Sequence, residues 1–272
     1  MRCRFCFATF QDVKREMDLP KDHLPKEDCV SVIDRIAEFG FAKINFAGGE
    51  PTLCPWLPDL IARAKAHRMT TSIVTNGSRI TDEWLDALKG NLDWVGLSID
   101  TVDPEKLVRL GRAVSGKIPL NEAGYLERIR VIKQRGIRLK INTVVTSVTW
   151  QEDFIPFIRL AKPERWKLLQ VLTVKGQNDA TIADFTVTAE EFEAYVHRNR
   201  SVEDEGIRVV PENNAAMTES YVMIDPAGRF FDNAQGFHRY SAPILEVGVP
   251  AALQQVSIDT ERFRQRGGRY AW

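Results

Sequence analysis

The sequence predicts an α/β protein built on a parallel sheet, and two observations lead to that prediction. Between residues 26 and 172, stretches with apolar residues at helical spacing alternate with short apolar stretches typical of strands. The chain has 272 residues, of which 44% are hydrophobic, so it is long enough to bury a large core. Strands that alternate with helices indicate right-handed βαβ units, and therefore a parallel sheet that is either open or closed into a barrel.

Each element of this region is marked by its own residues. Apolar residues at helical spacing over 28–39 predict a first helix, which Gly40 ends in a suitable C-cap position. Five strands and four more helices follow (strands 42–47, 70–74, 94–99, 138–145 and 166–171; helices 56–66, 81–88, 126–134 and 154–160). Thr188 and Glu191 form a capping-box pattern that opens a last helix over 192–197.

The pattern changes towards the C-terminus. There, two short strand-like stretches (221–224 and 229–231) flank the turn Asp225-Pro226-Ala227-Gly228, which predicts a β-hairpin. No internal repeat, low-complexity stretch or linker separates this hairpin from the rest of the chain. We therefore expect one structural domain, with a core over residues 1–200 and a C-terminal extension over residues 201–272.

Composition and charge exclude several classes of protein. The 37 Lys and Arg residues balance 37 Asp and Glu residues, so charge gives no argument for a nucleic-acid or membrane-surface partner. No apolar run approaches the roughly 18–20 residues that span a bilayer, and the first residues lack the apolar segment of a signal peptide. The four cysteines are too few for a disulfide framework in a chain of this size. We therefore expect a cytoplasmic protein with no nucleic-acid or membrane partner.

Cys3 and Cys6 form a C-x-x-C pair close to the start of the chain. Two thiols at this spacing can bind one metal ion or cluster, or form a redox disulfide, and the pair alone does not distinguish these uses. A zinc ribbon would require a second such pair, which the sequence lacks. Cys29 and Cys54 are expected to be small buried side chains.

Small and polar residues follow three successive strands and recur in the next loop. Gly48-Gly49-Glu50 follows the first strand, Thr75 and Asn76 follow the second, Ser98 and Asp100 close the third, and Arg112 lies in the next loop. The carboxyl ends of parallel strands are where ligands bind, and adjacent glycines let the backbone approach a ligand closely. An ordinary turn would explain any one of these segments, but their recurrence at one edge favours a binding site.

Polar and basic residues recur at alternating positions of two late strands and in the C-terminal run (Lys140 and Asn142; Arg165 and Lys167; Arg266 and Arg269). A solvated sheet edge would explain one such pair. Cations on two apolar strands of a parallel sheet instead require an anion, because a buried charge without a partner is costly. The pattern predicts a polyanion site, for which a triphosphate is the natural ligand.

In order along the chain, these motifs resemble those of viperins, a family of radical S-adenosylmethionine enzymes. The C-x-x-C pair and the GGEP segment after a strand are similar to the wider superfamily. The segments KINFAGGEP, IVTNGS, LSIDT, LKINTVV, RWKLLQ, VPENN, ESYVMID and RGGRYAW are similar to viperins. The resemblance covers residues 3–272, nearly the whole chain.

The resemblance implies a partial (βα)6 TIM-type barrel with a C-terminal β-hairpin and a tail that complete a nucleotide site. The implied cofactors are a [4Fe-4S] cluster and S-adenosylmethionine, with an electron donor such as flavodoxin or ferredoxin. The family pattern is C-x-x-x-C-x-x-C, so its first cysteine and first strand would precede Met1, and we expect this chain to lack them because Met1 is an internal methionine of the motif. The alternative is a true two-cysteine chain that recruits Cys54 as its third ligand.

The implied activity is a lyase reaction of antiviral defence. A 5′-deoxyadenosyl radical would convert a ribonucleoside triphosphate (CTP, UTP or GTP) to its 3′-deoxy-3′,4′-didehydro analogue. An alternative is a cluster-deficient nucleotide-binding protein that acts as a sensor or partner.

The resemblance also assigns roles to individual residues. Cys3 and Cys6 would be cluster ligands, and Tyr221 would supply the hydrogen that quenches the substrate radical. The S-adenosylmethionine site would comprise Phe5, Gly48, Gly49, Glu50, Thr75, Asn76, Ser98 and Arg112. The nucleotide and its phosphates would contact Lys43, Asn45, Lys140, Asn142, Arg165, Lys167, Arg266 and Arg269.

Overall fold

A sheet of six parallel strands forms the centre of the computed structural model, which describes residues 1–19, 22–88 and 90–270. The strands are adjacent in chain order, from β1 to β6 (β1 Lys43–Phe46, β2 Thr70–Thr75, β3 Trp94–Ser98, β4 Arg138–Val145, β5 Arg165–Gln170 and β6 Arg208–Glu212). The first five match the predicted strands to within one residue at each end. The predicted α/β fold with a parallel sheet is confirmed.

Helices connect the strands and extend towards the C-terminus (α1 Gln11–Glu16, α2 Lys26–Phe39, α3 Leu57–Ala66, α4 Asp82–Asp86, α5 Pro104–Leu110, α6 Glu122–Gln134, α7 Ile155–Ala161, α8 Ala189–Asn199, α9 Asn214–Met217, α10 Ile244–Val247, α11 Val249–Leu253 and α12 Thr260–Gln265). No helix in the described parts of the chain combines the length and apolarity needed to cross a bilayer. The predicted helices correspond to α2, α3, α4, α6, α7 and α8, whereas α5 was not predicted.

Local signals set the ends of several helices. Gly40 ends α2 with a φ of 107°, a left-handed conformation that glycine adopts without steric cost. The predicted capping box opens α8: the Thr188 side chain accepts from the backbone N–H of Glu191, and the Glu191 carboxylate accepts from that of Thr188. Helix α6 begins four residues before its predicted start, because the Asn121 side chain caps it by accepting from the Gly124 N–H at 2.9 Å.

Strand β6 is absent from the sequence prediction. Its sequence, RVVPE, contains Pro211, and proline inside a strand-like run argues against a central strand. In the structure β6 lies at one end of the sheet and pairs with β5 alone among the described strands. Proline is tolerated at such an edge, because one side of an edge strand has no neighbouring strand to receive an N–H.

The two faces of the sheet differ in chemistry. Apolar side chains of β3 to β5 pack against the helices on the outer face, where Trp166, Ile141 and Val95 are fully buried. The alternate positions, among them Lys140 and Lys167, face inward. The side chains of Lys43 on β1 and Lys140 on β4 both reach the Tyr270 hydroxyl, although three strand spacings of about 4.8 Å separate those strands. The sheet therefore curves around its inner face.

The C-terminal part contains the predicted antiparallel strands and one more. Strands β7 (Met223–Ile224) and β8 (Arg229–Asp232) flank the predicted turn, and β9 (Arg239–Pro243) pairs with the other side of β8. Phe230 on β8 joins Ile33 of α2 and Ile244 of α10 in a second core. This packing fixes the C-terminal part against the parallel sheet.

Candidate active site inside the curved sheet

The C-x-x-C segment lies against the loop that follows α5. The backbone N–H groups of Arg2 and Arg4 donate to the carbonyls of Gly111 and Leu110, each at 3.1 Å. A Cβ atom on Gly111 would lie 2.1 Å from the Arg2 carbonyl oxygen, so this close approach requires glycine. The Cys6 N–H donates to the Cys3 carbonyl at 3.2 Å, which closes the segment into a turn.

The two thiols fit part of a cluster site. Cys3 and Cys6 are half-buried and free of disulfides. Burial raises the pKa of the Cys3 thiol above its usual value, although the nearby Arg112 guanidinium acts in the opposite direction. Within residues 1–19, 22–88 and 90–270, no further histidine, cysteine or carboxylate joins them as a metal-binding group. Cys54 lies instead near Cys29, whose thiol pKa it helps to raise to about 11 after the larger effect of burial.

A buried ion pair stands beside Cys3. The Arg112 Nε atom lies 2.6 Å from Oδ2 of Asp100, which is fully buried after the end of β3. Asp100 Oδ1 also accepts from the Val144 N–H at 2.9 Å, so the carboxylate is fixed to β4. The Arg112 guanidinium lies 5.6 Å from the centre of the Phe5 ring. Its charge is therefore held close to the C-x-x-C segment.

Glu50 joins the loops that follow β1 and β2. Its Oε1 atom accepts from the hydroxyls of Thr52 and Thr75 at 2.6 and 2.7 Å, and its Oε2 atom accepts from the Asn76 N–H at 2.9 Å. Gly48 has a φ of 119° and has no atom within 4 Å of an added Cβ; the space beside Gly49 is open as well. The loop is thus braced by Glu50 while its glycines face open space.

Three cations meet where β1, β4 and β5 begin. Lys43 and Lys140 donate to the Tyr270 hydroxyl, and the Arg165 guanidinium lies 3.8 Å from the centre of the Tyr270 ring. Arg165 also donates to the Gly267 carbonyl at 3.0 Å. We call Lys43, Lys140 and Arg165 the cation cluster. The tail residue Tyr270 covers it.

Burial and mutual repulsion both act against charge on the two lysines of the cation cluster. Burial, followed by the charges of Lys43 and its other cationic neighbours, lowers the pKa of Lys140 to about 5. Burial and neighbouring cations likewise lower the pKa of Lys43 to about 8. An anion at this position would relieve the repulsion and raise both pKa values.

Two asparagines lie on the inner face beyond the cation cluster. Asn45 accepts from the Ser72 hydroxyl. Asn142 is in register with Ser98 on one neighbouring strand and with Lys167 on the other. Its Oδ1 atom is buried without a hydrogen-bond partner among the described residues. A buried acceptor in this state matches a ligand that carries a hydroxyl donor.

The remaining predicted residues form a second polar group. The Lys167 ammonium lies 2.7 Å from the Tyr221 hydroxyl and 2.7 Å from Oε1 of Glu212. The Arg266 guanidinium lies 3.2 Å from the same Glu212 oxygen and 3.7 Å from the centre of the Tyr221 ring. Arg269 is exposed and lies outside both polar groups. The structure thus brings Lys167, Tyr221 and Arg266 together and leaves Arg269 apart.

Sequence reasoning missed Glu212 and Tyr270 as members of the site, and it placed Asp100 at the end of a strand without assigning it a role. Glu212 lies in the VPENN segment, but it ends a strand that Pro211 concealed. Tyr270 lies in RGGRYAW, a segment whose arginines alone are predicted to bind phosphate. Ala271 and Trp272 of that segment lie outside the described residues. The sequence predicts that a ligand neutralises the buried cations, whereas the chain itself provides Glu212 as the partner of Lys167.

Comparison with known proteins identifies the family. The family model described as "Radical SAM superfamily" matches residues 1–161, more than half of the chain. The chain belongs to the radical S-adenosylmethionine superfamily. The matched residues of this superfamily include the C-x-x-C segment, the Glu50 loop and the Arg112–Asp100 pair.

Two relatives within the superfamily share a name. A protein from Lacinutrix mariniflava, "S-adenosylmethionine-dependent nucleotide dehydratase", is 53% identical over the whole of this chain, which spans 56% of that protein. A Flammeovirga pacifica protein of the same name is 46% identical, and this chain spans 92% of it. The chain therefore also belongs to that dehydratase family, which confirms the resemblance seen in the sequence.

Solved structures agree on the fold. The structure titled "Native anSMEcpe with bound AdoMet" superposes with a TM-score of 0.68 at 16% identity, over 97% of this chain and 78% of that one. Streptococcus suis SuiB bound to S-adenosylmethionine gives a TM-score of 0.60 at 17% identity, over 84% of this chain and 56% of SuiB. At these identities the likeness concerns the fold alone.

Proposed function

We propose that this chain is a radical S-adenosylmethionine nucleotide dehydratase. It would convert CTP, UTP or GTP to the 3′-deoxy-3′,4′-didehydro analogue. The observation that supports this most directly is the arrangement of one inner face: the cation cluster lies where the strands begin, and the C-x-x-C and Glu50 loops lie where they end. Five residues of β3 span about 13 Å between those two ends, so one ligand can contact both.

In this proposal the cofactors bind at the carboxyl ends of the strands. Cys3 and Cys6 would hold a [4Fe-4S] cluster as thiolates, and Arg112 would favour the thiolate charge at Cys3. Bound there, the cluster and S-adenosylmethionine would supply the 5′-deoxyadenosyl radical chemistry. Glu50 would hold two loops together around S-adenosylmethionine, with Phe5, Gly48, Gly49, Thr75, Asn76 and Ser98 as its other contacts.

The substrate would bind between the cofactors and the cation cluster. Lys43, Lys140 and Arg165 would bind the phosphates, while the unpartnered Asn142 Oδ1 would accept from a ribose hydroxyl. Tyr221 would deliver one hydrogen-atom equivalent from its phenolic O–H to the ribose radical: the electron would complete the C3′=C4′ double bond, and the proton would leave with the 3′-hydroxyl as water. One electron and one proton would then restore the phenol.

An electron donor is also part of the proposal. Arg2 and Arg4 are exposed beside the thiols, and Arg109 and Lys117 are exposed on the segment that binds them. Four cations around one site in a chain of zero net charge suit an acidic one-electron carrier such as flavodoxin or ferredoxin. Because the thiols must be reduced to bind a cluster, we propose the cytoplasm as the compartment.

Anaerobic reconstitution with iron, sulfide and S-adenosylmethionine, followed by incubation with each of the four ribonucleotides and a reductant, tests the function. We expect a product lighter than one triphosphate by one water, together with 5′-deoxyadenosine, detected by mass spectrometry. A cluster-loaded chain that binds triphosphates but forms no 5′-deoxyadenosine with any of them would contradict the proposal and favour the nucleotide-binding alternative.

A further inference from the structure

Glu212 is the carboxylate that organises the second polar group. It ends β6 on the inner face of the sheet and is fully buried. Its Oε1 atom lies 2.7 Å from the Lys167 ammonium and 3.2 Å from the Arg266 guanidinium, and its Oε2 atom accepts from the Tyr221 hydroxyl. Both carboxylate oxygens are thus occupied by groups from three different segments of the chain.

The surroundings keep Glu212 ionised. Burial raises the pKa of its carboxyl, but the charges of Lys167 and Arg266 outweigh that effect, so the pKa lies below its usual value. The same carboxylate, after Tyr221, favours the protonated form of Lys167 and raises its pKa against the effect of burial. Glu212, Lys167 and Arg266 therefore form a closed group of one negative and two positive charges.

The inner face is consequently uneven in charge. In the cation cluster, the low pKa of Lys140 reflects burial and repulsion from Lys43, Lys167 and Arg165. Glu212 lies four positions after Arg208 on β6, which is in register with Arg165, and this offset amounts to about 13 Å along the strand. A polyanion is attracted less strongly to the second end than it would be without Glu212, because the carboxylate offsets one of the two cations there.

Glu212 also fixes the Tyr221 hydroxyl beside the unpartnered asparagine. Lys167, which contacts that hydroxyl, is in register with Asn142 on the neighbouring strand. Adjacent strands lie about 4.8 Å apart, so a ribose bound at the Asn142 Oδ1 atom would lie next to the phenol. Without the carboxylate, the Tyr221 hydroxyl would keep Lys167 as its one remaining partner among these groups.

We propose that Glu212 is a positioning residue with two effects. Its charge directs the phosphates of the nucleotide to the cation cluster, and its hydrogen bond holds the Tyr221 hydroxyl at the ribose. The first effect sets the preference for triphosphates over monophosphates, because a single phosphate could otherwise bind Lys167 and Arg266. The inference rests on the proposed function and extends it to a residue that touches neither the phosphates nor the reacting carbon.

Glu212→Gln separates this role from a merely structural one, because two measured quantities should move in opposite directions: the triphosphate affinity should rise, and the ratio of didehydro product to 5′-deoxyadenosine should fall. Titration calorimetry with cluster-free protein should show the triphosphate binding roughly threefold to tenfold more tightly, since repulsion is removed and two cations are released. The monophosphate should gain still more, so the preference for the triphosphate falls. In the loaded enzyme, the ratio of didehydro product to 5′-deoxyadenosine should fall at the same time.

One further variant separates the effect of the Glu212 charge from that of its hydrogen bond to Tyr221, and a second is a control. Tyr221→Phe retains every charge, so it should keep the phosphate preference and lose only the product ratio. Glu152→Gln is the matched control: that carboxylate lies 2.5 Å from Lys106 and 3.0 Å from the Thr101 hydroxyl, away from the inner face, and both readouts should stay unchanged. If Glu212→Gln fails to fold by circular dichroism, Glu212→Asp, which shortens the reach and keeps the charge, should behave like Tyr221→Phe.

Three results would overturn the inference: weaker triphosphate binding in Glu212→Gln, an unchanged phosphate preference, or a wild-type product ratio in the same variant. A failure of the proposed function looks different. In that case the wild-type chain itself shows no preference for triphosphates, or forms no 5′-deoxyadenosine, before any substitution is made.

Discussion

At the scale of single residues, the inner face concentrates positive charge in the cation cluster. Lys140 is the extreme case, because burial and three neighbouring cations lower its pKa to about 5. Near neutral pH its amine is largely neutral, as is part of the Lys43 population, whose pKa is about 8. Charge at these two residues is thus set by whether an anion is present.

Nucleotide binding should therefore take up protons. A bound phosphate raises the pKa of both lysines, so the complex holds more protons than the free protein between about pH 5 and the ordinary lysine range. By linkage, triphosphate affinity should rise as the pH falls from about 9 towards about 7. Calorimetry near neutral pH in buffers of different ionisation enthalpy measures the uptake directly. Proton release on binding would show that the lysines are already charged.

Lys140→Met should remove most of that uptake and weaken triphosphate binding. Losing one hydrogen bond to a charged group costs about 1.5–3 kcal/mol, which corresponds to at least a tenfold loss of affinity. Lys175→Met is the control, since Lys175 is exposed outside the site. S-adenosylmethionine binding should not change in either variant. An unchanged triphosphate affinity in Lys140→Met would remove the cation cluster from the phosphate site.

At the scale of elements, periodicity and caps predicted five of the six parallel strands and most of the helices between them. Four of those strands lie in the sheet interior, and the edge strand β1 alternates polar with apolar residues, so sequence spacing alone defines them. Strand β6 escaped because Pro211 is acceptable only at a sheet edge, and edge position is a property of the assembled sheet. Because Glu212 ends β6, it was not predicted either. Its partners Lys167 and Tyr221 come from distant segments that only folding brings together.

The C-x-x-C segment should depend on one glycine in another element. Gly111 caps α5 with a φ of 77°, and an added Cβ would lie 2.1 Å from the Arg2 carbonyl. Gly111→Ala should therefore detach the segment and lower the iron and sulfide bound after reconstitution. Gly136→Ala is the matched control, because Gly136 has a φ of 68° and open space around it. It should cost about 1–2 kcal/mol of unfolding free energy with no loss of iron.

If Gly111→Ala and Gly136→Ala bind equal amounts of iron, the contact between Gly111 and Arg2 does not hold the thiols in place. A large fall in the melting temperature of Gly111→Ala, without loss of bound iron, would place the effect of the clash in global stability instead. Both quantities are read from the same preparations, by colorimetric iron assay and by differential scanning fluorimetry.

At the scale of the whole molecule, the two ends of the strands carry different tasks in the proposed enzyme. The ends at which the strands begin hold the cation cluster beneath the tail, and the opposite ends hold the thiols and the Glu50 loop. In this proposal, an electron carrier would approach from the thiol side. Arg2, Arg4, Arg109 and Lys117 are exposed on that side, while the chain as a whole has no net charge.

Reversing two of these charges should slow reduction by a protein donor without affecting a chemical one. Arg109→Glu with Lys117→Glu should lower the second-order rate of cluster reduction by an acidic flavodoxin roughly tenfold at low salt, because electrostatic steering is lost. Stopped-flow absorbance measures that rate, and reduction by dithionite should stay at the wild-type rate. The wild-type rate should itself fall with added salt, whereas that of the variant should depend on salt much less.

The matched control reverses two exposed cations at the other end of the strands. Arg68→Glu with Lys162→Glu changes the net charge by the same amount, but these residues precede β2 and β5 and lie away from the thiols. If both double variants slow flavodoxin equally, total charge governs the encounter. Only a loss confined to the Arg109 and Lys117 pair would locate donor docking beside the C-x-x-C segment, since local charge steers association over a distance of about one Debye length, roughly 10 Å at 0.1 M salt.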